Sequence, residues 1–174
     1  MFEWGPLLQP DLVLGDSILG LTPDIIRQHQ LSGLILDVDE TLVPFRQSDP
    51  MADVKQWADR VKASVAIVLV SNNLNQVRIR RIATALDVPY FTAAGKPSRR
   101  KLRQAAAILD RPPHQIGMVG DRLFTDVLAG NRIGMFTILV DPMVDPLAAN
   151  PKKCVRNFEI WLSARLGVTL KALS

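Results

Sequence analysis

The stretch LILDVDETLV, residues 34–43, is an apolar run that ends in three acids, Asp37, Asp39 and Glu40. Carboxylates are costly to bury without partners, so a strand aimed into a cluster of them calls for a reason. Further apolar runs repeat the pattern. ASVAIVLVSNN (63–73) ends at Ser-Asn-Asn, and VPYFTAAGKP (88–97) ends at Gly-Lys-Pro. IGMVGD (116–121) ends at Gly-Asp, and GMFTILVDP (134–142) ends at Asp-Pro. Runs this apolar suit strands covered on both faces, as in parallel sheets.

Helical patterns fill the gaps, at about 50–62, 74–87, 98–110 and 124–131. Ser98 is a cap candidate for the third, Thr125 for the fourth, and Gly130 lies near the fourth one's end. Strands alternating with helices predict an α/β fold with a doubly wound, mainly parallel, Rossmann-like sheet. Another helix, about 22–30, precedes the first strand. A last one, about 152–166, carries Val155, Phe158, Leu162 and Leu166 on one stripe expected to pack on the sheet. The 174 residues suit one domain, with a lead-in over 1–30, a motif-bearing core over 33–142 and that C-terminal helix.

Composition narrows the function classes. The chain is 48% hydrophobic and 22% charged, as expected for a globular protein, and its net charge is +4. Its one cysteine, Cys154, cannot form an internal disulfide, which fits a reducing compartment. His29 and His114 lack metal-ligand spacing and read as surface residues. No run reaches the ~20 residues of a membrane span, and the N-terminus lacks a secretory pattern. The expected location is cytoplasmic, with a peripheral position on the inner face of a membrane as the variant. Arg78, Arg80 and Arg81 form one basic cluster, and Lys96, Arg99, Arg100, Lys101 and Arg103 another. Such clusters are commonly solvated helix faces; the sharper reading is attraction of an anionic substrate or lipid surface. No nucleic-acid motif is present, so no nucleic-acid partner is expected. Trp4, Leu7, Leu8, Leu12, Val13, Leu14, Ile18 and Leu19 are expected either to touch a membrane or to cover the sheet or a partner.

Ligands of open α/β sheets bind beyond the carboxyl ends of the strands. Asp37, Asp39, Thr41, Ser71, Lys96 and Asp121 all fall there. Asp37, Asp39, Asp121 and Asp126 would repel one another without a cation between them. Mg²⁺ prefers oxygen ligands and is commonly shared with a phosphate, so a phosphorylated ligand follows. Ser71 has no evident histidine base, whereas a carboxylate can attack phosphorus itself. Asp37 is placed to do so. Asp39, two residues on, faces the same side of an extended backbone and can act as acid and base. Ser71 and Lys96 supply a hydroxyl and a charge for phosphoryl oxygens.

Four segments, DVDETL (37–42), VLVSNN (68–73), GKP (95–97) and GDRLFTD (120–126), resemble in order the four motifs of the haloacid dehalogenase-like (HAD) phosphatases. The resemblance implies that Asp37 is nucleophile and metal ligand, and that Asp39 is acid/base and a metal ligand through its carbonyl. It implies that Thr41 holds the loop at the phosphate site and that Ser71 and Asn72 bind phosphate, Asn72 through its backbone amide. Lys96 would bind phosphate and orient the nucleophile. Asp121 and Asp126 would complete the Mg²⁺ shell, Asp126 directly or through water. The stretches 21–43 and 120–142 are further similar to the YqeG-type subgroup and its relatives, the mitochondrial and plastid phosphatidylglycerophosphate phosphatases. Glu40 stands where many members carry Asn.

The gaps between strands have no room for a folded lid, so a capless site open to a bulky substrate is expected. The leading expectation is an Mg²⁺-dependent phosphomonoesterase, working through an aspartyl-phosphate and converting phosphatidylglycerophosphate to phosphatidylglycerol. The alternatives are a HAD phosphatase for a soluble nucleotide, sugar phosphate or phosphoprotein, and a non-catalytic regulatory or binding module on the same fold. A pure binder has no need of Asp39.

Overall fold

The computed structural model describes residues 4–143 and 152–172. Six parallel strands form one sheet: β1 (Leu12–Val13), β2 (Gly33–Leu36), β3 (Ala66–Val70), β4 (Tyr90–Phe91), β5 (Ile116–Gly120) and β6 (Phe136–Leu139). Their spatial order is β1-β6-β5-β2-β3-β4. The chain winds outward from β2 through β3 to β4, then returns to the other side of β2 with β5 and β6. The winding reverses between β2 and β5, and loops diverging at that point leave a crevice. Asp37 follows β2 and Asp121 follows β5.

The helices are α1 (Trp4–Leu8), α2 (Pro23–Gln28), α3 (Ala52–Lys62), α4 (Gln76–Leu86), α5 (Arg100–Leu109), α6 (Leu128–Asn131) and α7 (Lys152–Arg165). Thr22 caps α2 through its side chain, with Pro23 pre-set for the first turn. In α3, Val54, Trp57, Ala58 and Val61 recur at helical spacing and are buried. The Trp57 indole donates to the Leu21 carbonyl at 2.8 Å, so its polar edge is satisfied inside the core. In α4, Ile79, Ile82, Ala83 and Leu86 repeat that spacing. One core lies between these helices and the sheet. A second core packs Leu102 and Ala105 of α5 on Ile35, Val68 and Met118.

Three local expectations are corrected. Ser98 does not cap α5; Arg99 occupies that position, with no side-chain cap. The pattern at 124–131 resolves into a π-helical turn, Leu123–Val127, followed by the short α6. The wide turn lets the Asp126 side chain reach back toward β5, and such turns recur at functional sites. Thr125 sits within the turn and does not cap it.

On α7 the stripe also differs. Phe158 is exposed and Leu166 is partly so, whereas Glu159 is buried. The Val155 side chain lies outside the described residues. The lead-in contributes an edge strand and part of the core: Leu12 and Val13 pair with β6, and Leu8, Leu12, Leu14 and Ile18 are buried. Pairing in register fixes which face each residue takes, information that an apolar run alone does not carry.

α3 is the only helix between β2 and β3, and between β4 and β5 there are only α5 and a short 3-10 turn. Neither connection carries a folded lid.

Candidate active site

Asp37 continues β2 by one residue, its amide donating to the Val119 carbonyl at 2.9 Å. The chain then turns sharply. Leu42 and Val43 donate back to the Val38 carbonyl, and Glu40 to that of Val43. Glu40 takes a left-handed conformation, φ +64°, in this turn. Beyond β3, Asn72 clamps the loop bearing Lys96. Its Oδ1 accepts from the Lys96 amide at 2.7 Å, and its Nδ2 donates to the Lys96 carbonyl at 3.1 Å.

These loops converge on a cleft lined by Asp37, Asp39, Glu40, Asn72, Lys96, Asp121, Arg122 and Thr125. Lys96 Nζ lies 2.6 Å from Asp37 Oδ1 and 2.6 Å from Asp126 Oδ1, with the ammonium and the Asp126 carboxylate almost fully buried. Asp126 also accepts from the Arg122 amide at 3.3 Å. Gly120 makes this possible, because a Cβ there would stand 2.3 Å from the Asp126 Cγ. Thr41 and Ser71, by contrast, are fully buried behind the rim. Thr41 makes a long contact, 3.5 Å, to Asp121 Oδ1. Ser71 accepts from the Asn73 amide at 3.0 Å and approaches Asp39 at 3.5 Å.

Asp37, Asp121 and Asp126 each bring one carboxylate oxygen within 4.8 Å of the others. Burial pushes the Asp121 carboxyl up to about 8, helped by Asp37, Asp126 and Glu40. Burial likewise raises Asp37 to about 7; Lys96 pulls the other way, and Asp126 and Asp39 add to the rise. For Lys96, burial works against the charge, but Asp126 and Asp37 overcome it and hold the ammonium above its ordinary value. Fully ionised, the trio would carry more negative charge than Lys96 offsets. An all-oxygen set of this kind fits a hard divalent cation such as Mg²⁺. The Asp39 side chain is not part of the trio.

Sequence reasoning missed four residues here. Arg78, in a cluster that reads as a solvated face, is buried. It donates to Asp39 Oδ1 at 2.7 Å and to the carbonyls of Gln47 and Pro44 at 2.7 and 3.3 Å. Asn73 donates to Asp39 Oδ2 at 3.0 Å. Arg122, inside the fourth motif, forks onto Glu159 of α7 at 2.6–3.1 Å. The charge and position of Arg122 beside Asp121 were visible in the sequence, but the three long-range partnerships had no local signal. Next to the cleft is a mostly apolar chamber of about 320 Å³, sharing Asp121 and walled by Val13, Leu123, Leu139, Ile160 and Leu170 among others.

A parallel sheet with an aspartate-bearing loop, a clamped lysine and an acidic trio at its switch point is the arrangement of a HAD-type phosphatase. The chain belongs to the HAD-like phosphatases: a family model described as HAD-hydrolase-like matches residues 93–145, and a curated member aligns along most of the chain. That relative is the probable phosphatase YqeG of Bacillus subtilis, 31% identical over 128 residues, which cover 73% of this chain and 74% of YqeG. A 62-residue stretch is 37% identical to the chloroplastic phosphatidylglycerophosphate phosphatase 1 of Chlamydomonas reinhardtii, covering 36% of this chain and 23% of that protein. A Listeria monocytogenes serotype 4b protein of solved structure shares the fold, with TM-score 0.53 and 18% identity over 78% of this chain and 99% of that one.

Proposed function

We propose that this phosphatase hydrolyses a phosphomonoester through an aspartyl-phosphate on Asp37, with phosphatidylglycerophosphate as substrate. The observation that carries the mechanism is the placement of Asp37. It lines the cleft at the end of β2, its Oδ1 is held 2.6 Å from the Lys96 ammonium, and two further carboxylates lie beside it. Asp37, Asp121 and Asp126 would hold Mg²⁺, with Asp39 adding its backbone carbonyl. The ion would supply positive charge for phosphoryl oxygens and let the raised carboxyls ionise.

Asp37 attacks phosphorus as the ester P–O bond breaks, and Asp39 gives its proton to the departing alkoxide oxygen. Asp39 then takes a proton from the water that attacks the aspartyl-phosphate, which frees orthophosphate and restores Asp37. Lys96 keeps Asp37 oriented through both steps. Asn72 fixes the Lys96 backbone and lines the cleft on the phosphate side, while Ser71, buried behind the rim, accepts from the Asn73 amide and shapes that loop.

Three features support a lipid substrate. The cleft is open, without a lid between β2 and β3. The apolar chamber adjoins Asp121. Leu74, 83% exposed, follows directly after Asn73, and Val77, 79% exposed, lies in the first turn of α4, which also carries the exposed Arg80 and Arg81. Exposed apolar residues among basic ones suit peripheral contact with an anionic bilayer. No helix among the described residues is long and apolar enough to cross a membrane.

Asp37→Asn tests the nucleophile. Phosphate release from an aryl phosphate should vanish while the fold is retained, and unchanged turnover refutes the assignment. In mixed micelles, phosphatidylglycerophosphate should be hydrolysed far faster than sugar phosphates or nucleotides. Equal rates would remove the lipid substrate and leave the phosphatase.

A further inference from the structure

The cleft holds more negative than positive charge. Asp37, Asp39, Glu40 and Asp121 line it, and Asp126 lies just beneath. A phosphate dianion entering there needs a cationic side chain with N–H donors that are not already engaged. Lys96 is shared between Asp37 and Asp126, and Arg78 is bound to Asp39 and two carbonyls. The third cation, Arg122, is used differently. Its Nε and Nη2 grip Glu159, while Nη1 has no partner among the described residues. One edge of the guanidinium is therefore fixed to α7, and the residue itself forms part of the cleft wall.

The partner is equally telling. Glu159 is 4% exposed, on a helix whose preceding residue, Phe158, is exposed. A buried carboxylate is expensive unless its pairing is good, and a forked contact to arginine is the best available. This pair locks a flexible side chain in one orientation beside Asp121, which lowers the entropy lost when it binds an anion.

We infer that Arg122 is a phosphate-oxygen contact of the active site and that Glu159 is its positioning residue, so that α7 completes the substrate site from outside the four motifs. This inference rests on the phosphatase reading of the cleft. It assigns specificity to a helix that the motif-bearing core does not contain.

Calorimetric titration of the full chain with orthophosphate, in the presence of MgCl₂, tests it. The double variant Arg122→Gln, Glu159→Gln replaces the ion pair by two amides that still hydrogen-bond, so the α7 contact is kept without charge. Its Kd for orthophosphate should weaken by about tenfold, the usual weight of one charge-assisted contact. Glu159→Gln alone keeps the arginine but loosens it, and should weaken binding by about threefold, with KM for an aryl phosphate rising and kcat changing less. A folded double variant with wild-type affinity overturns the inference. Weakening in the double but not in Glu159→Gln overturns the positioning role. Should the double variant fail to fold, Arg122→Lys keeps a cation on Glu159 but lacks the fork, and wild-type affinity there overturns the inference as well. Wild-type protein that binds no orthophosphate refutes the phosphatase reading itself, a distinct outcome.

Discussion

The guanidinium of Arg78 lies 2.7 Å from Asp39 Oδ1, bridging 39 positions of sequence, and both side chains are nearly buried. The remaining nitrogens of Arg78 satisfy the carbonyls of Gln47 and Pro44. One side chain from α4 thus orients the proposed acid/base and ties down the loop that follows it. The consequence is mechanistic, because an acid/base works only when held within hydrogen-bond reach of its target.

Arg78→Ala should therefore affect stability and chemistry together. The loss should be about 2–3 kcal/mol in denaturant titrations, because a carboxylate and two carbonyls lose their donor. At a temperature where the variant is folded, kcat should fall more for an alkyl phosphate than for p-nitrophenyl phosphate. The nitrophenolate leaves without protonation, so it depends less on a well-placed acid. Equal loss on both substrates would assign Arg78 to the scaffold alone.

At Gly120 the constraint is spatial. Asp126 occupies the volume that a Cβ would take, 2.3 Å from its Cγ. Gly120→Ala should push Asp126 off Lys96 and open the acidic trio. The expected cost is about 1–3 kcal/mol in stability, with weakened Mg²⁺ binding in a calorimetric titration. Tight Mg²⁺ binding by this variant would separate Asp126 from the metal shell.

Stability should depend on pH and on Mg²⁺ in a linked way. Asp37 and Asp121 are raised from the ordinary 3.8 to about 7 and about 8. Between those limits the unfolded chain has lost protons that the folded chain still holds, so stability falls as pH rises. With EDTA present, the thermal midpoint should be lower near pH 8.5 than near pH 5.5. Mg²⁺ binds the ionised carboxylates, so its stabilising effect should grow over the same interval. A midpoint independent of pH in EDTA would contradict the raised carboxyls.

Glu40 holds a left-handed backbone, φ +64°, that asparagine adopts at lower cost. Glu40→Asn should raise stability by about 0.5–1 kcal/mol, read as a rise of about 1–4 °C in the thermal midpoint. A lower midpoint would show that contacts of the glutamate outweigh its backbone strain.

The parts of this protein that were legible in its sequence are those set by short-range rules. Apolar runs at 33–38, 63–73, 116–121 and 134–142 foretold strands β2, β3, β5 and β6, because residues buried on both faces leave an uninterrupted pattern. Polar residues where those runs stop foretold which side chains converge on the cleft, among them Asp37, Asp39, Lys96 and Asp121, because a parallel sheet gathers its strand ends on one edge. β1 escaped, since two residues paired at an edge look like any apolar lead-in. Gly130 was visible as a helix-end signal, but the π turn that delivers Asp126 was not, because it depends on how β5 and the following turn pack.

By itself, then, the sequence determined the α/β class, the order of the elements and the set of acids and the lysine that meet at the strand ends, all consequences of periodicity and spacing. Only the tertiary structure decided which charges neutralise which. Arg78 meets Asp39, Lys96 stands between Asp37 and Asp126, and Arg122 meets Glu159. Ion pairing acts over a few ångströms of space and is indifferent to separation along the chain, so no local pattern encodes it.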